Sequence, residues 1–174
     1  MLRKILALGA VALSFSIAAF AQNGQGRFQR SNIAVTIDGF TCNNGQGTIP
    51  ALSWSFGVTA PQPTNIGGGR VAAPAKLSDV SVTRRADACT PTLFGDAVKG
   101  NHFKQVTIVQ QDPQKDDTFT VTLTEVVISS YQLGGDAGHE VPSEQLGFSY
   151  QKICVADTGT GSKSCWDLVQ GKSF

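Results

Sequence analysis

The sequence predicts a mainly β fold, a small barrel or sandwich of antiparallel strands with one short α-helix. Three observations carry this. Gly, Thr, Ser and Val are plentiful while charged residues make up only 16% of the chain, a balance that suits strands and turns better than helices. Apolar residues alternate with polar ones in several separate segments, the period of a half-buried strand. Only one stretch carries both a helix start signal and a helix stop signal.

In chain order, Met1 to Ala21 reads as an export signal. Arg3 and Lys4 form a positive start, Ile5 to Phe20 is uncharged and mostly apolar, and Ala19-Phe20-Ala21 supplies the small residues of a cleavage site. The run is shorter than the roughly 20 apolar residues a membrane helix needs, and no Cys follows the expected cut for lipid attachment. A secreted or periplasmic protein is expected, with no membrane insertion after cleavage. Residues 22–31 are polar and Gly/Gln-rich and read as a loose N-terminal arm. Residues 32–174 are then one domain, long enough for a real core.

Ile33, Val35 and Ile37 alternate with Ala34, Thr36 and Asp38, a strand ending at Gly39. Asn43-Asn44-Gly45 is a turn signal. Leu52, Trp54, Phe56 and Val58 share one face, the clearest alternation in the chain, with Trp54 as a core anchor. Thr59 to Ala75 holds three prolines and three glycines and reads as an extended surface loop. Val80 and Val82 mark the next strand. Thr90-Pro91 looks like a helix N-cap followed by proline at the first helical position, and the helix ends near Lys99-Gly100. Leu93, Phe94, Ala97 and Val98 are its residues to bury. Val106 to Val109 is a strand and Asp112 to Asp117 a polar turn. Phe119, Val121 and Leu123 alternate, but Val126 and Ile128 have the other parity, which a one-residue bulge near Glu125 would explain. Leu133 to Gly138 is a turn, Leu146, Phe148 and Tyr150 a strand, and Lys163 to Val169 the last strand.

Cys42, Cys89, Cys154 and Cys165 are the four cysteines. An even number in an exported chain reads as two disulfides, with three pairings open. The turn at Asp157 to Gly161 favours Cys154–Cys165, which leaves Cys42–Cys89. No close Cys or His pair suggests zinc.

The remaining patterns argue against catalysis and cofactors. Without Arg3 and Lys4 the chain has 12 basic residues against 13 acidic, so no electrostatic footprint for nucleic acid exists. Gly67-Gly68-Gly69 lacks the Lys-Ser/Thr of a phosphate loop. Asp112 to Asp117 and Asp136 to Glu140 lack calcium-loop spacing. His102 and His139, the only histidines, have no nucleophile motif around them and read as surface or helix-end residues. Trp54, Phe56, Phe148 and Tyr150 read as core packing rather than as a ligand platform.

The order of these pieces resembles the Hcp family, the haemolysin-coregulated tube protein of type VI secretion. The resemblance rests on Ile37-Asp38-Gly39, on Ala51-Leu52-Ser53-Trp54-Ser55-Phe56-Gly57, on the glycines at 67–69 and on Leu77-Ser78-Asp79-Val80-Ser81-Val82-Thr83-Arg84. It continues through Cys89-Thr90-Pro91-Thr92-Leu93, Gly100-Asn101-His102-Phe103 and Leu123-Thr124-Glu125-Val126-Val127-Ile128-Ser129-Ser130-Tyr131, with Gly134-Gly135 after it. Glu144-Gln145-Leu146-Gly147-Phe148-Ser149-Tyr150 completes the set, which covers about residues 32–155.

The resemblance implies a small β-barrel flanked by a helix, assembled into six-membered rings that stack into a tube and can hold small effector proteins in the lumen. It implies a structural role without an active site. It also implies that Thr59 to Ala75, with Gly67, Gly68 and Gly69, contacts the neighbouring ring, and that Ser78 to Arg84 and Thr118 to Ser130 supply edges between subunits. Members of that family work from the cytoplasm without a cleaved signal or disulfides, so the export signal sets this chain apart. The alternative is a secreted monomeric β-barrel, a disulfide-stabilised binding module or effector that has lost ring assembly. A secreted hydrolase using His102 or His139 is a third, weaker reading.

Overall fold

The structure is a computed structural model. It describes residues 32–42, 45, 47–60, 64–66, 69–71, 75–112, 114 and 117–174; the expected signal and arm, Gly67 and Gly68 lie outside them. In chain order the strands before the helix are β1 (Ile33–Ile37), β2 (Thr48–Ala51), β3 (Ser53–Ser55), β4 (Val58–Thr59), β5 (Thr64–Ile66), β6 (Gly69–Val71), β7 (Lys76–Leu77) and β8 (Val80–Arg85). The helix α1 (Thr90–Lys99) is followed by β9 (His102–Gln111), β10 (Thr118–Gly134), β11 (Ser143–Asp157), β12 (Ser162–Asp167) and β13 (Lys172–Ser173). The main sheet runs β13-β12-β11-β10-β9-β1-β2, with β8 also on β11 and β3 on β8. All its pairs are antiparallel.

The segment from Thr48 to Ser55 changes partner at Leu52. Its first half pairs with β1 and its second with β8, and the Leu52 N–H donates to the Thr83 carbonyl at 2.8 Å. The sheet therefore rolls back on itself as a sandwich-like β fold around one core. That partner change also corrects the reading of the 52–58 alternation. Ile49 and Ala51 face the core, whereas Leu52 and Val58 are exposed and Trp54 is only half-buried. Phe148 and Tyr150 are buried, as expected.

The parity switch falls where the sequence places it, but by a different device. Val121, Leu123, Val126 and Ile128 are all buried, and Glu125 takes a left-handed φ of 56°. The register is unbroken there, because Leu123 faces Ile153 and Val106 while Val126 faces Tyr150 and Phe103. All six of those residues are buried. Three neighbouring strands thus change faces at one level, which needs no inserted residue. The register shift lies further on, between Ile128 and Ser130. An insertion there bends the long strand and re-aims its end.

Helix α1 has Pro91 in its first turn and ends at Gly100, whose left-handed φ of 64° lets its N–H reach the Ala97 carbonyl. Cys89, not Thr90, occupies the cap position. Leu93 is fully buried and Ala97 packs on the core, but Phe94 and Val98 are 54% and 70% exposed, contrary to the expectation that all four pack inward. The 59–75 stretch carries more order than a loop. The pairs β4–β7 and β5–β6 make it a β-hairpin arm, with Gly69 opposite Ile66.

Candidate assembly surfaces

One end of the fold is organised by a charge cluster beneath the helix. Arg84 on β8 and Glu144 on β11 are opposite each other in register, and both side chains are completely buried. Arg84 Nη1 binds Glu144 Oε1, its Nη2 lies against Asp87 as an ion pair, and its Nε points to the Pro50 carbonyl. The Tyr131 hydroxyl donates to Glu144 Oε2 at 2.6 Å and the Thr90 hydroxyl to Glu144 Oε1 at 3.1 Å. Burial, then the Glu144 carboxylate beside it, holds the Tyr131 hydroxyl well above its ordinary pKa, so it stays a proton donor. Asp87 Oδ1 accepts the Cys89 N–H at 2.8 Å. The helix start is therefore tied to the sheet through charged hydrogen bonds, which hold α1 at a set height over β10.

That placement creates an apolar surface. Strand β9 begins at His102, opposite Val127, so Ile128–Gly134 of β10 is paired with β11 but, among the described residues, has no strand on its other side. Phe94 of α1 meets Tyr131 of β10 edge-on at 5.7 Å. A shallow depression of about 210 Å³ lies between Val98, Ile128 and this pair. Of the two edges inferred from the resemblance, Ser78 to Arg84 and Thr118 to Ser130, only Ile128–Ser130 falls within this open stretch. Val80–Arg85 lies between β11 and β3, and Thr118–Val127 lies between β9 and β11. Thr118–Val127 is interior throughout, and in β8 Ser81–Thr83 is flanked on both sides. Among the described residues, strand pairing on one side only is found at the end of β10, at Ser162–Cys165 of β12, and at β2 and β3.

At the opposite end Trp54 stacks between Phe56 and Phe119, with ring centroids 6.1 and 5.9 Å away. Its indole N–H donates to Gln110 Oε1 at 2.9 Å. The hairpin arm leaves the body here, and its base is closed by reciprocal bonds between Gly57 and Ser78.

The histidines stand apart from both surfaces. His102 Nε2 lies 2.8 Å from Glu125 and His139 Nδ1 2.9 Å from Asp136, and all four side chains are largely exposed. Neither ring bonds a hydroxyl among the described residues. The Asp136 carboxyl is held below its usual range by His139 and then by the Gly138 amide, which is turn chemistry. Among the described residues no group of three His, Cys, Asp or Glu side chains is placed to hold a metal.

The structure joins Cys42 to Cys89, 47 residues apart, and Cys154 to Cys165, 11 apart. The first links the turn after β1 to the helix cap. The second spans directly opposed residues of β11 and β12. Asp167 at the end of β12 accepts the Gln170 amide at 2.8 Å and lies 3.2 Å from Lys152 Nζ. The amide first, and then Lys152, hold its carboxyl below the usual range against the opposing push of burial. A lowered folded-state pKa means that Asp167 stabilises the fold above its unfolded value of about 3.8 and ceases to do so as pH falls through the folded value. Asp167→Asn should therefore show a shallower loss of thermal stability than wild type between about pH 5 and pH 2, measured by melting at a series of pH values. Parallel curves would refute the assignment.

The family model for the type VI secretion system effector Hcp matches residues 31–156. The chain belongs to the Hcp family. Solved structures agree on the fold. A type six secretion system protein aligns with a TM-score of 0.68 at 21% identity, covering 82% of this chain and 98% of its own. Hcp1 from Salmonella typhimurium aligns with a TM-score of 0.64 at 18% identity, over 82% of this chain and 97% of its own. A type VI secretion system effector from Yersinia pestis gives 0.62 at 21% identity, over 78% and 98%. No curated protein matches the chain by sequence. The Hcp match stops at residue 156, so β12, β13 and Cys165 lie beyond it.

Proposed function

We propose that this Hcp-family chain is an exported structural subunit that forms homo-hexameric rings and performs no catalysis. The observation that carries the reading is the conjunction of family membership with an exposed apolar face at an open strand end. Phe94 and Val98 flank Ile128–Gly134 of β10, and unpaired strand edges beside apolar surface are costly for a monomer but are covered in a closed ring. The hairpin arm of β5 and β6, with Gly67, Gly68 and Gly69, would reach the next ring, and the ring lumen would admit small effector proteins. Met1 to Ala21 supports export, to the periplasm or beyond, and the two disulfides suit that compartment.

A secreted monomeric module is the competing reading, favoured by the same disulfides, which let a small domain stand alone. Native mass and negative-stain images of the oxidised protein at high micromolar concentration decide between them. Sixfold rings are expected, and Phe94→Asp should reduce them to single subunits that keep the wild-type far-ultraviolet circular dichroism spectrum. A wild-type protein that stays monomeric throughout would overturn the ring assignment.

A further inference from the structure

We propose that the cleft beside Trp54 and Phe119 is the docking site of the chain's own N-terminal segment, residues 22–31. The cleft has a volume of about 740 Å³, and Asp112, Asp117 and Asp157 line it together with the two aromatic side chains. None of its described lining residues is basic. Phe119 keeps 38% of its surface exposed. Asp112 accepts the Gln114 amide and Asp157 the Gly159 amide and the Thr160 hydroxyl, but these neutral donors leave the negative charge of the three half-buried carboxylates without a cation among the described lining residues. The exposed ring and that charge define the occupant they would take: a segment with an aromatic side chain and two or three positive charges.

Residues 22–31 read Gln-Asn-Gly-Gln-Gly-Arg-Phe-Gln-Arg-Ser, with Arg27, Phe28 and Arg30 and no acidic residue. Asn32, the residue that follows, itself lines the cleft. An extended chain spans at most about 3.3–3.6 Å per residue, so Arg30 starts within roughly 7 Å of that wall and Arg27 within roughly 18 Å. Phe28 would lie on the Trp54–Phe119 pair, with the arginines against the carboxylates. Gln110 Oε1 is occupied by the Trp54 indole, which leaves the Gln110 amide N–H groups to donate to the segment's carbonyls. This inference does not depend on ring assembly.

Trypsin cleavage after Arg30, followed by intact mass, tests it on the oxidised full protein as exported. Docking should slow that cut by about tenfold or more relative to a synthetic peptide of the same segment, since cleavage follows the population of the open form. The protection should be lost in 1 M salt, where the screening length falls to about 3 Å. It should also fall in the Asp117→Asn/Asp157→Asn double variant. Phe28→Ala, which leaves the folded domain untouched and retains the Arg30 site, should expose the segment in the same way. Cleavage of the wild type at the peptide's rate would overturn the inference, as would protection unchanged in both variants. Protection that disappears on dilution would assign the cleft to a second copy's segment and overturn docking within one chain.

Discussion

Replacing Glu144 with alanine is expected to cost about 3–5 kcal/mol, the range found when one partner of a buried ion pair is removed. Arg84 would keep its fully buried guanidinium with Asp87 as its remaining charged partner and the Pro50 carbonyl beside Nε, and the Tyr131 and Thr90 hydroxyls would both lose their acceptor. The guanidinium denaturation midpoint should fall by about 1 M. Replacing both partners, Arg84→Met with Glu144→Leu, should cost much less, because no uncompensated charge is left inside. A double variant as unstable as Glu144→Ala would show that the residues act through their shape and not through their charge. Either variant should also loosen the start of α1, since Thr90 and the Asp87–Cys89 turn hang on the same cluster.

The second large effect is expected from the Cys42–Cys89 bridge. In the chain-entropy account a closed loop of 47 residues contributes about 4 kcal/mol and one of 11 residues about 3 kcal/mol. The native contexts widen that difference. Cys154 and Cys165 sit in a ladder of six residue pairs that holds β11 and β12 together without them. No strand pairing among the described residues connects the segment of Cys42 to that of Cys89, and both are buried in the core. The Cys42→Ser/Cys89→Ser variant should lose about 10–15 °C in melting temperature, from the 2–4 °C per kcal/mol typical of domains near this size. The Cys154→Ser/Cys165→Ser variant should lose distinctly less. Calorimetry of the two double variants measures this, and the reverse order would refute the argument. An Hcp fold that needs the first bridge would reach full stability only after export to an oxidising compartment.

Much of this fold is legible in the sequence because local chemistry decides it. Ile33, Val35 and Ile37 alternate and form β1. Pro91 and Gly100 bound the helix, because proline suits its first turn and glycine its left-handed cap. The parity change between Leu123 and Val126 is also visible, although the response of three strands to it is not. The faces are less legible. Phe94 and Val98 have the spacing of buried residues, yet only Leu93 and Ala97 pack into the core, while Phe94 touches the sheet edge-on at Tyr131 and stays half-exposed. Leu52 and Val58 share the face of Trp54 and Phe56 in the sequence pattern, but the strand changes partner at Leu52 and the register of burial changes with it.

The candidate surfaces follow the same division. The sequence by itself determined a β-rich Hcp-like body, the position of its helix, four cysteines, and Arg27, Phe28 and Arg30 in the segment ahead of the first strand. Each of these depends on residues within a few positions of one another. Tertiary structure alone decided that Arg84 and Glu144, 60 residues apart, share one buried site, and that interior pairing already consumes Ser81–Thr83 and Thr118–Val127. It also decided that Trp54, Phe119 and Asp157 border one cleft. A charged side chain in a strand reads as solvent-facing until its cross-strand partner is known. A strand reads as an edge until both its neighbours are known. Both facts are long-range, set by which segments pack together, and no local pattern of residues encodes them.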